Sequence, residues 1–439
     1  MHTNQMDFFY TKTADALLKS ARKFISGRDS NYVFFKAENP LKQQRACTSI
    51  YVHIPFCNSL CPYCPYNRIP EDKARLALYI EALKKEITGI SGLCGRRDVS
   101  SVYFGGGTPL LAGEKIKEIT HTIRDNYNVS GDFCIEANPN DINEDSVELL
   151  KQAGFASISL GVQSFNDDLL KSIGRKYASS AAVNSAIKLL TSGFDSVNID
   201  LLFALPGQNM DYLMNDLEKA VSLKPDQITT YPLFTFPYSE ISQFKKIKHV
   251  ESPSLIKRRR MYYSIYEYLE KSGYKRCSVW SFKREKNAKR YSSVTRERYI
   301  GFGASAGSYH ETHFDLNTFS VDEYIKTIEK KGNAVAMRIK FTKRMAKLYD
   351  FYWRIYDTDF PDKRVLSGFS YVMKSDSILT PVLKLMIYLH LAKKTKNGFS
   401  LTKQGSLWVH FAQNLLSLRA ISRVWGEAKK NPWPEKIDF

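Results

Sequence analysis

The feature that most constrains the fold is an alternation of short β-rich runs with helix-period segments between residues 49 and 232. The runs are Ser49–Ile54, Ser101–Phe104, Asp132–Glu136, Ala156–Gly161, Ser196–Phe203 and Gln227–Pro232. Between them, Lys73–Gly89, Glu114–Tyr127, Asp145–Ala153, Ser179–Thr191 and Asp211–Leu223 carry apolar residues at helical spacing. Strand–helix alternation of this kind implies parallel strands joined by right-handed crossovers. Six such units make either a partial α/β barrel or an open doubly wound sheet. In a barrel, chemistry gathers at the C-terminal ends of the strands.

Polar and reactive residues fall at those ends. Cys57, Cys61 and Cys64 follow the first run, in the spacing Cys-x-x-x-Cys-x-x-Cys. Closely spaced thiolates on one loop can reach several corners of an iron–sulfur cubane and leave the remaining iron open to a small molecule. A structural zinc site wants four ligands, usually as two pairs; no second pair exists, and His53 or His310 would have to complete it. Gly105-Gly106-Gly107-Thr108-Pro109 follows the second run. Glycines let backbone approach a ligand closely, and no Gly-Lys-Ser/Thr follows to make a phosphate loop. Glu136 ends the third run, Gln163 follows the fourth, Arg175 lies on the next helical segment, and Asp200 sits inside the fifth. Four polar groups on successive elements are expensive to bury without a ligand between them.

The cysteine count of 7 is odd and three fall within eight residues, which fits a reducing compartment and one metal site rather than disulfides. Residues 1–30 lack the apolar core of a signal peptide and no run reaches membrane-span length, so a cytoplasmic location is expected. The net charge of +19 is concentrated in local clusters of the second half: Lys245–Lys248, Lys257–Arg260, Lys283–Arg298 and Lys393–Lys396. Such clusters suit an anionic substrate, an anionic membrane surface or nucleic acid, and no nucleic-acid-binding motif supports the last. Beyond about residue 310 the pattern turns helical, with Phe341–Tyr356, Ser377–Lys393 and an amphipathic Gly405–Trp425 whose stripe is Trp408, Phe411, Leu415, Leu418 and Ile421. This gives an extension over 1–45, a catalytic domain over 46–310 and a smaller, mostly helical C-terminal domain over 311–439.

Together, Tyr51-Val-His-Ile-Pro-Phe-Cys57, Cys61-Pro-Tyr-Cys64, Gly105–Pro109, Ile135–Pro139, Leu160–Asn166, Asn198–Gln208 and Gly301–Ala304 resemble the radical S-adenosylmethionine (SAM) superfamily, in the branch of oxygen-independent coproporphyrinogen III oxidase. The resemblance implies an α/β fold, a partial (β/α)6 barrel. It implies a [4Fe–4S] cluster on Cys57, Cys61 and Cys64, whose open iron chelates SAM, and a 5′-deoxyadenosyl radical formed by one-electron cleavage. It places Tyr51, Gly106 and Glu136 around that SAM, with Ala306 nearby. It places Tyr63, Gly107, Thr108, Gln163, Arg175, Asp200 and Phe234 around a second SAM. It also implies anaerobic chemistry and a reducing donor such as flavodoxin or ferredoxin.

Two departures bear on the reaction. The oxidase carries a further cysteine two residues after its third ligand, where this chain has Tyr66. Related haem chaperones carry a His-Asn-x-x-Tyr-Trp motif, where this chain reads Arg290-Tyr-Ser-Ser-Val-Thr295. The expected activity is therefore methylation of an sp² carbon of a conjugated small molecule, such as membrane-borne menaquinone, using two SAM molecules; a peripheral contact with the inner membrane face would accompany that substrate. The alternatives are an oxidase-like or haem-modifying enzyme of tetrapyrrole metabolism, and a haem-binding chaperone without turnover.

Overall fold

The computed structural model describes residues 32–37, 48–234, 253–284, 297–366 and 369–438. The Lys245–Lys248 run, the Arg290–Thr295 stretch, most of the 1–45 extension and the side chains of Leu415 and Leu418 lie outside the described residues.

Six parallel strands form the centre: β1 (Thr48–Ile54), β2 (Asp98–Gly106), β3 (Asn128–Ala137), β4 (Phe155–Gln163), β5 (Ser196–Phe203) and β6 (Gln227–Pro232). Each pairs with the next in chain order, all in parallel. The connecting helices include α1 (Lys73–Cys94), α2 (Lys115–Asn126), α3 (Glu144–Gln152), α4 (Ser179–Thr191) and α5 (Met210–Ser222). Parallel strands covered by helices read as nearly continuous apolar runs; in β1, Ile50, Val52 and Ile54 are fully buried. Side-chain caps set several helix starts. Asp72 accepts from the Arg75 N–H, Asn143 and Ser146 form a reciprocal capping box, and Asn209 accepts from the Tyr212 N–H.

The sheet continues on both sides. β7 (Tyr299–Phe302) pairs in parallel with β1, followed by the antiparallel strands β8 (Gly307–Tyr309), β9 (His313–Asn317) and β10 (Val335–Lys340). Val33–Lys36 and Lys436–Asp438 then bring the two ends of the described chain together at that edge. Beyond β6, Ser281–Lys283 and Lys275–Arg276 add antiparallel partners. The result is an α/β fold on one mixed sheet, whose six sequential parallel strands are the core expected of a partial barrel.

The junction between β1 and β7 is stabilised by a buried carboxylate. Glu86 of α1 accepts from the Gly303 N–H (2.8 Å), the Asn317 amide (2.8 Å) and the hydroxyl of Tyr324 (2.7 Å), the last on α6 (Val321–Lys331). Burial pushes its carboxyl up to about 7. Gly301 lies where a Cβ would meet the Gly307 carbonyl oxygen at 2.1 Å, so β7 and β8 approach more closely than any side chain permits.

Further helices are α7 (Leu255–Lys271), α8 (Lys343–Tyr356), α9 (Leu379–Tyr388) and α10 (Lys403–Lys430), besides the short Asp167–Ser172. The segment beyond 310 also carries short strands that helical periodicity does not announce. Asp359–Pro361, Ala392–Lys394 and Gly398–Leu401 form one small sheet, and Lys363–Leu366 pairs with Phe369–Val372. These cover a separate apolar cluster with Phe351, Phe360, Leu383 and Phe399. Helix α8 is held firmly. Asp350 accepts from both Arg364 nitrogens (3.1 Å each), from Arg354 Nε (3.4 Å) and from the Tyr371 hydroxyl (2.7 Å). Its last carbonyl, on Tyr356, accepts from the Val279 N–H at 3.0 Å, which ties α8 to the edge of the barrel.

Candidate active site

A cavity of about 430 Å³ opens at the C-terminal ends of β1 to β6. The loop after β1 brings Cys57, Cys61, Tyr63 and Cys64; the turn after β2 brings Gly106, Gly107 and Thr108. Glu136, Gln163, Arg175, Asp200 and Phe234 join them from β3 onward. The sequence-derived candidates thus converge on one space, with two exceptions. Among the described residues, Tyr51 and Ala306 are not part of its wall. Tyr51 stands one layer behind, stacked on the cavity-lining Tyr103 with ring centroids 6.1 Å apart. Ala306 is buried behind β7, its N–H donated to the Gly303 carbonyl at 3.2 Å.

The cysteine loop is shaped for a shared ligand. Cys57 is buried, and the Cys64 N–H closes a turn onto the Cys61 carbonyl at 3.1 Å. The glycine turn is pressed against it, with the Gly107 N–H donated to the Ile54 carbonyl and the Thr108 N–H to that of Phe56. A Cβ on Gly107 would fall 2.4 Å from the Phe56 oxygen and 2.9 Å from the Cys57 sulfur, so only glycine fits. Burial pushes the Cys57 thiol up to about 11 and raises that of Cys64, and the neighbouring thiols add to both. Thiols release their protons to a metal that takes them as thiolates, and three gathered on one cavity wall fit an iron–sulfur cluster with three protein ligands. His53 does not complete a zinc site: its Nε2 donates to the Asn67 carbonyl (2.9 Å) and its Nδ1 accepts from the Tyr51 hydroxyl (2.8 Å). Burial pushes this imidazole down to about 4, so it stays neutral. His310 instead stacks on His313, with ring centroids 4.5 Å apart.

Beyond the cysteines the wall is acidic and hydrogen-bonding. Glu136 accepts from the Tyr103 hydroxyl at 2.6 Å. Burial, then the nearby Asp200 charge, pushes its carboxyl up to about 7, against the pull of Tyr103 and the Gly106 N–H. Asp200 accepts from the Ser159 hydroxyl and the Asn198 amide, both at 2.8 Å, and burial pushes it up to about 6. Arg175 spans two elements, with Nε donating to the Tyr63 hydroxyl (2.8 Å) and a terminal nitrogen to Asn138 (2.9 Å). Gln163 has φ 66°, a conformation costly for a side chain-bearing residue and often kept at functional positions. It ends β4, and the two carbonyls just before it, on Gly161 and Val162, accept from the Tyr177 hydroxyl at 2.9 and 2.8 Å.

Several lining groups escaped sequence reasoning. Tyr103 and Ser159, with the buried Asn198 beside them, orient the two acids; Tyr103 and Ser159 alternate with buried apolar neighbours in β2 and β4 and so point inward, a period-two signal present in the sequence. A further part of the wall is aromatic and comes from the C-terminal half. Tyr352, Trp353 and Tyr356 share one face of α8, and Ile421 of α10 joins them. Trp353 meets Tyr352 edge to face at 5.1 Å. The dense run Tyr349-Asp350-Phe351-Tyr352-Trp353 was visible, but nothing local said that it faces a cavity built from residues far away in the chain.

Comparison with known proteins agrees with this geometry. Residues 51–220 match the Radical SAM superfamily. A haem chaperone, HemW, of Bacillus subtilis is 30% identical over 290 residues, covering 65% of this chain and 76% of the relative. An oxygen-independent coproporphyrinogen III oxidase of Escherichia coli is 29% identical over 316 residues, covering 67% and 68%. Among solved structures, the Escherichia coli coproporphyrinogen III oxidase HemN, described as a radical SAM enzyme, superposes with a TM-score of 0.70 over 87% of this chain and 91% of that one, at 24% identity. No described helix is long and apolar enough to cross a membrane.

Proposed function

Since this chain belongs to the radical SAM superfamily, in the branch of the oxygen-independent coproporphyrinogen III oxidases and haem chaperones, and so uses a [4Fe–4S] cluster and SAM, we propose that it performs SAM-dependent radical chemistry on a tetrapyrrole. The observation that carries the substrate class is the aromatic wall. Tyr352, Trp353 and Tyr356 line the same cavity as the cysteine loop, and such a surface takes a flat conjugated ring by stacking. The relatives named above act on or carry coproporphyrinogen or haem, which favours a tetrapyrrole over menaquinone.

The bound cluster supplies the electron that cleaves SAM. The chain's own residues do the rest. Cys57, Cys61 and Cys64 hold the iron. Gly106 and Glu136 take the polar groups of the first SAM, with Tyr51 and Ala306 supporting from the layer behind. Arg175, Asp200, Gln163, Tyr63, Gly107, Thr108 and Phe234 form the pocket for a second SAM, in which an ionised Asp200 faces a ligand ammonium or ribose hydroxyl and Arg175 faces a carboxylate. Fixing both ligands and the ring in one closed space is the protein's contribution to the rate.

A second reading, methyl transfer to an sp² carbon, is supported by Tyr66. It lines the cavity at the position where the oxidases carry a cysteine. The test is anaerobic: protein reduced with a one-electron donor of the flavodoxin or ferredoxin kind, SAM deuterated on its methyl, and coproporphyrinogen III, haem or demethylmenaquinone. Tetrapyrrole-dependent 5′-deoxyadenosine supports the proposal. Loss of carbon dioxide from the tetrapyrrole marks the oxidase reaction, and label in the product with S-adenosylhomocysteine marks methyl transfer. Turnover with the quinone alone overturns the tetrapyrrole assignment.

A further inference from the structure

We infer that Arg68 is a positioning residue for the iron–sulfur cluster, holding the cysteine loop through the Cys61 carbonyl and supplying a charged hydrogen-bond donor that stabilises the reduced cluster.

Several observations meet on this one side chain. A terminal guanidinium nitrogen donates to the backbone carbonyl of Cys61. Its Nε is buried and has no hydrogen-bond partner. Arg68 lines the same cavity as Cys57, Cys61 and Cys64. A buried charged donor without an acceptor costs at least about 1–3 kcal/mol. A donor left that way in a well-formed wall points to an acceptor that the protein atoms do not provide. The anion this wall is built around is the cluster with its thiolates.

The backbone around Arg68 is placed with care. Asn67 is buried, donates to the Phe319 carbonyl at 2.8 Å and accepts from His53 at 2.9 Å. Ile69 donates to the Pro55 carbonyl at 2.7 Å, and Ile69–Pro70 pairs in parallel with Phe56–Cys57. The segment is thereby bound to the strand that delivers the first cysteine. An arginine suits this place better than a lysine, because its rigid fork can hold a carbonyl with one nitrogen and present another N–H elsewhere. Net charge and hydrogen bonds to the sulfurs set cluster potentials. Reduction adds one negative charge, so a nearby cation favours the reduced form and moves the midpoint upward.

The test uses cluster-loaded protein without SAM. Arg68→Gln should keep its iron and show a more negative midpoint potential, with an altered electron paramagnetic resonance signal of the reduced cluster. Arg68→Lys, which keeps the charge and loses the fork, should fall between Gln and wild type. A midpoint unchanged from wild type in both variants overturns the inference. So does a shift seen only when SAM is present, which would make the SAM carboxylate the acceptor. If the Gln variant loses iron, the neutral Arg68→Met variant decides: a wild-type potential in it overturns the inference. None of these readouts depends on the identity of the substrate.

Discussion

Glu136 is the residue at which stability and function oppose each other most directly, and Glu136→Gln tests that opposition. The substitution keeps the shape and removes the charge. Burial, and then Asp200, lifts the Glu136 carboxyl from 4.5 to about 7 in the ligand-free fold. A raised folded value means that the fold binds the proton more tightly than the unfolded chain does. The stabilising effect is complete below about pH 4.5 and is lost as pH rises through about 7. The whole difference is on the order of 3 kcal/mol, and water in the open cavity reduces it. At pH 8 metal-free wild-type protein should therefore be less stable than Glu136→Gln. The gap should shrink steadily as pH falls to 5.5, where both side chains are neutral. Urea unfolding at a series of pH values measures this directly. Function should move the other way: at pH 8 the cluster-loaded variant should bind SAM roughly ten- to hundred-fold more weakly, the worth of one charge-assisted hydrogen bond. A Gln variant that is less stable than wild type at pH 8 by the same margin as at pH 5.5 would refute the reasoning, because the carboxylate would then be stabilised by its surroundings.

Cys61→Ala should abolish the visible absorption and iron content of the cluster, while Cys94→Ala and Cys134→Ala should keep both. Gly107→Ala should lose most of its iron, because its Cβ would lie 2.4 Å from the Phe56 oxygen; Gly92→Ala, inside α1 with nothing within 4 Å, should load normally and gain about 0.5–1 kcal/mol of stability. Asp200→Ala should keep the cluster and one SAM, and calorimetry should show the second SAM site lost; two full equivalents in that variant would remove Asp200 from the second site.

Much of the barrel was legible because its signals are local and repeated. Ser196–Phe203, Gln227–Pro232 and Ser179–Thr191 form as the periodicity indicates, and the other elements differ mainly at their ends. Those ends are set by pairing: β2 runs to Gly106 because Ile54 of β1 lies beside it, which no window of β2 alone reveals. The convergence of Cys57, Glu136, Gln163 and Asp200 was legible for a topological reason, since parallel strands in sequential order put their C-terminal ends on one side. The short strands beyond 310 were not, because three or four residues hold too little of a two-residue period to stand out.

The two walls of the cavity come from different parts of the chain, and that separation has a chemical consequence. The match to the Radical SAM superfamily ends at residue 220, and Cys57, Cys61, Cys64, Glu136 and Asp200 all lie within it. Tyr352, Trp353, Tyr356 and Ile421 lie beyond it, on helices with their own apolar cluster and their own ionic anchor at Asp350. Under the proposed function, the cysteine-bearing part of the cavity serves SAM cleavage and the aromatic part selects the ring. A change of substrate therefore needs changes on one face of α8 and leaves the cysteine loop untouched, which is why the motifs of this chain identify its cofactor chemistry far more sharply than its substrate.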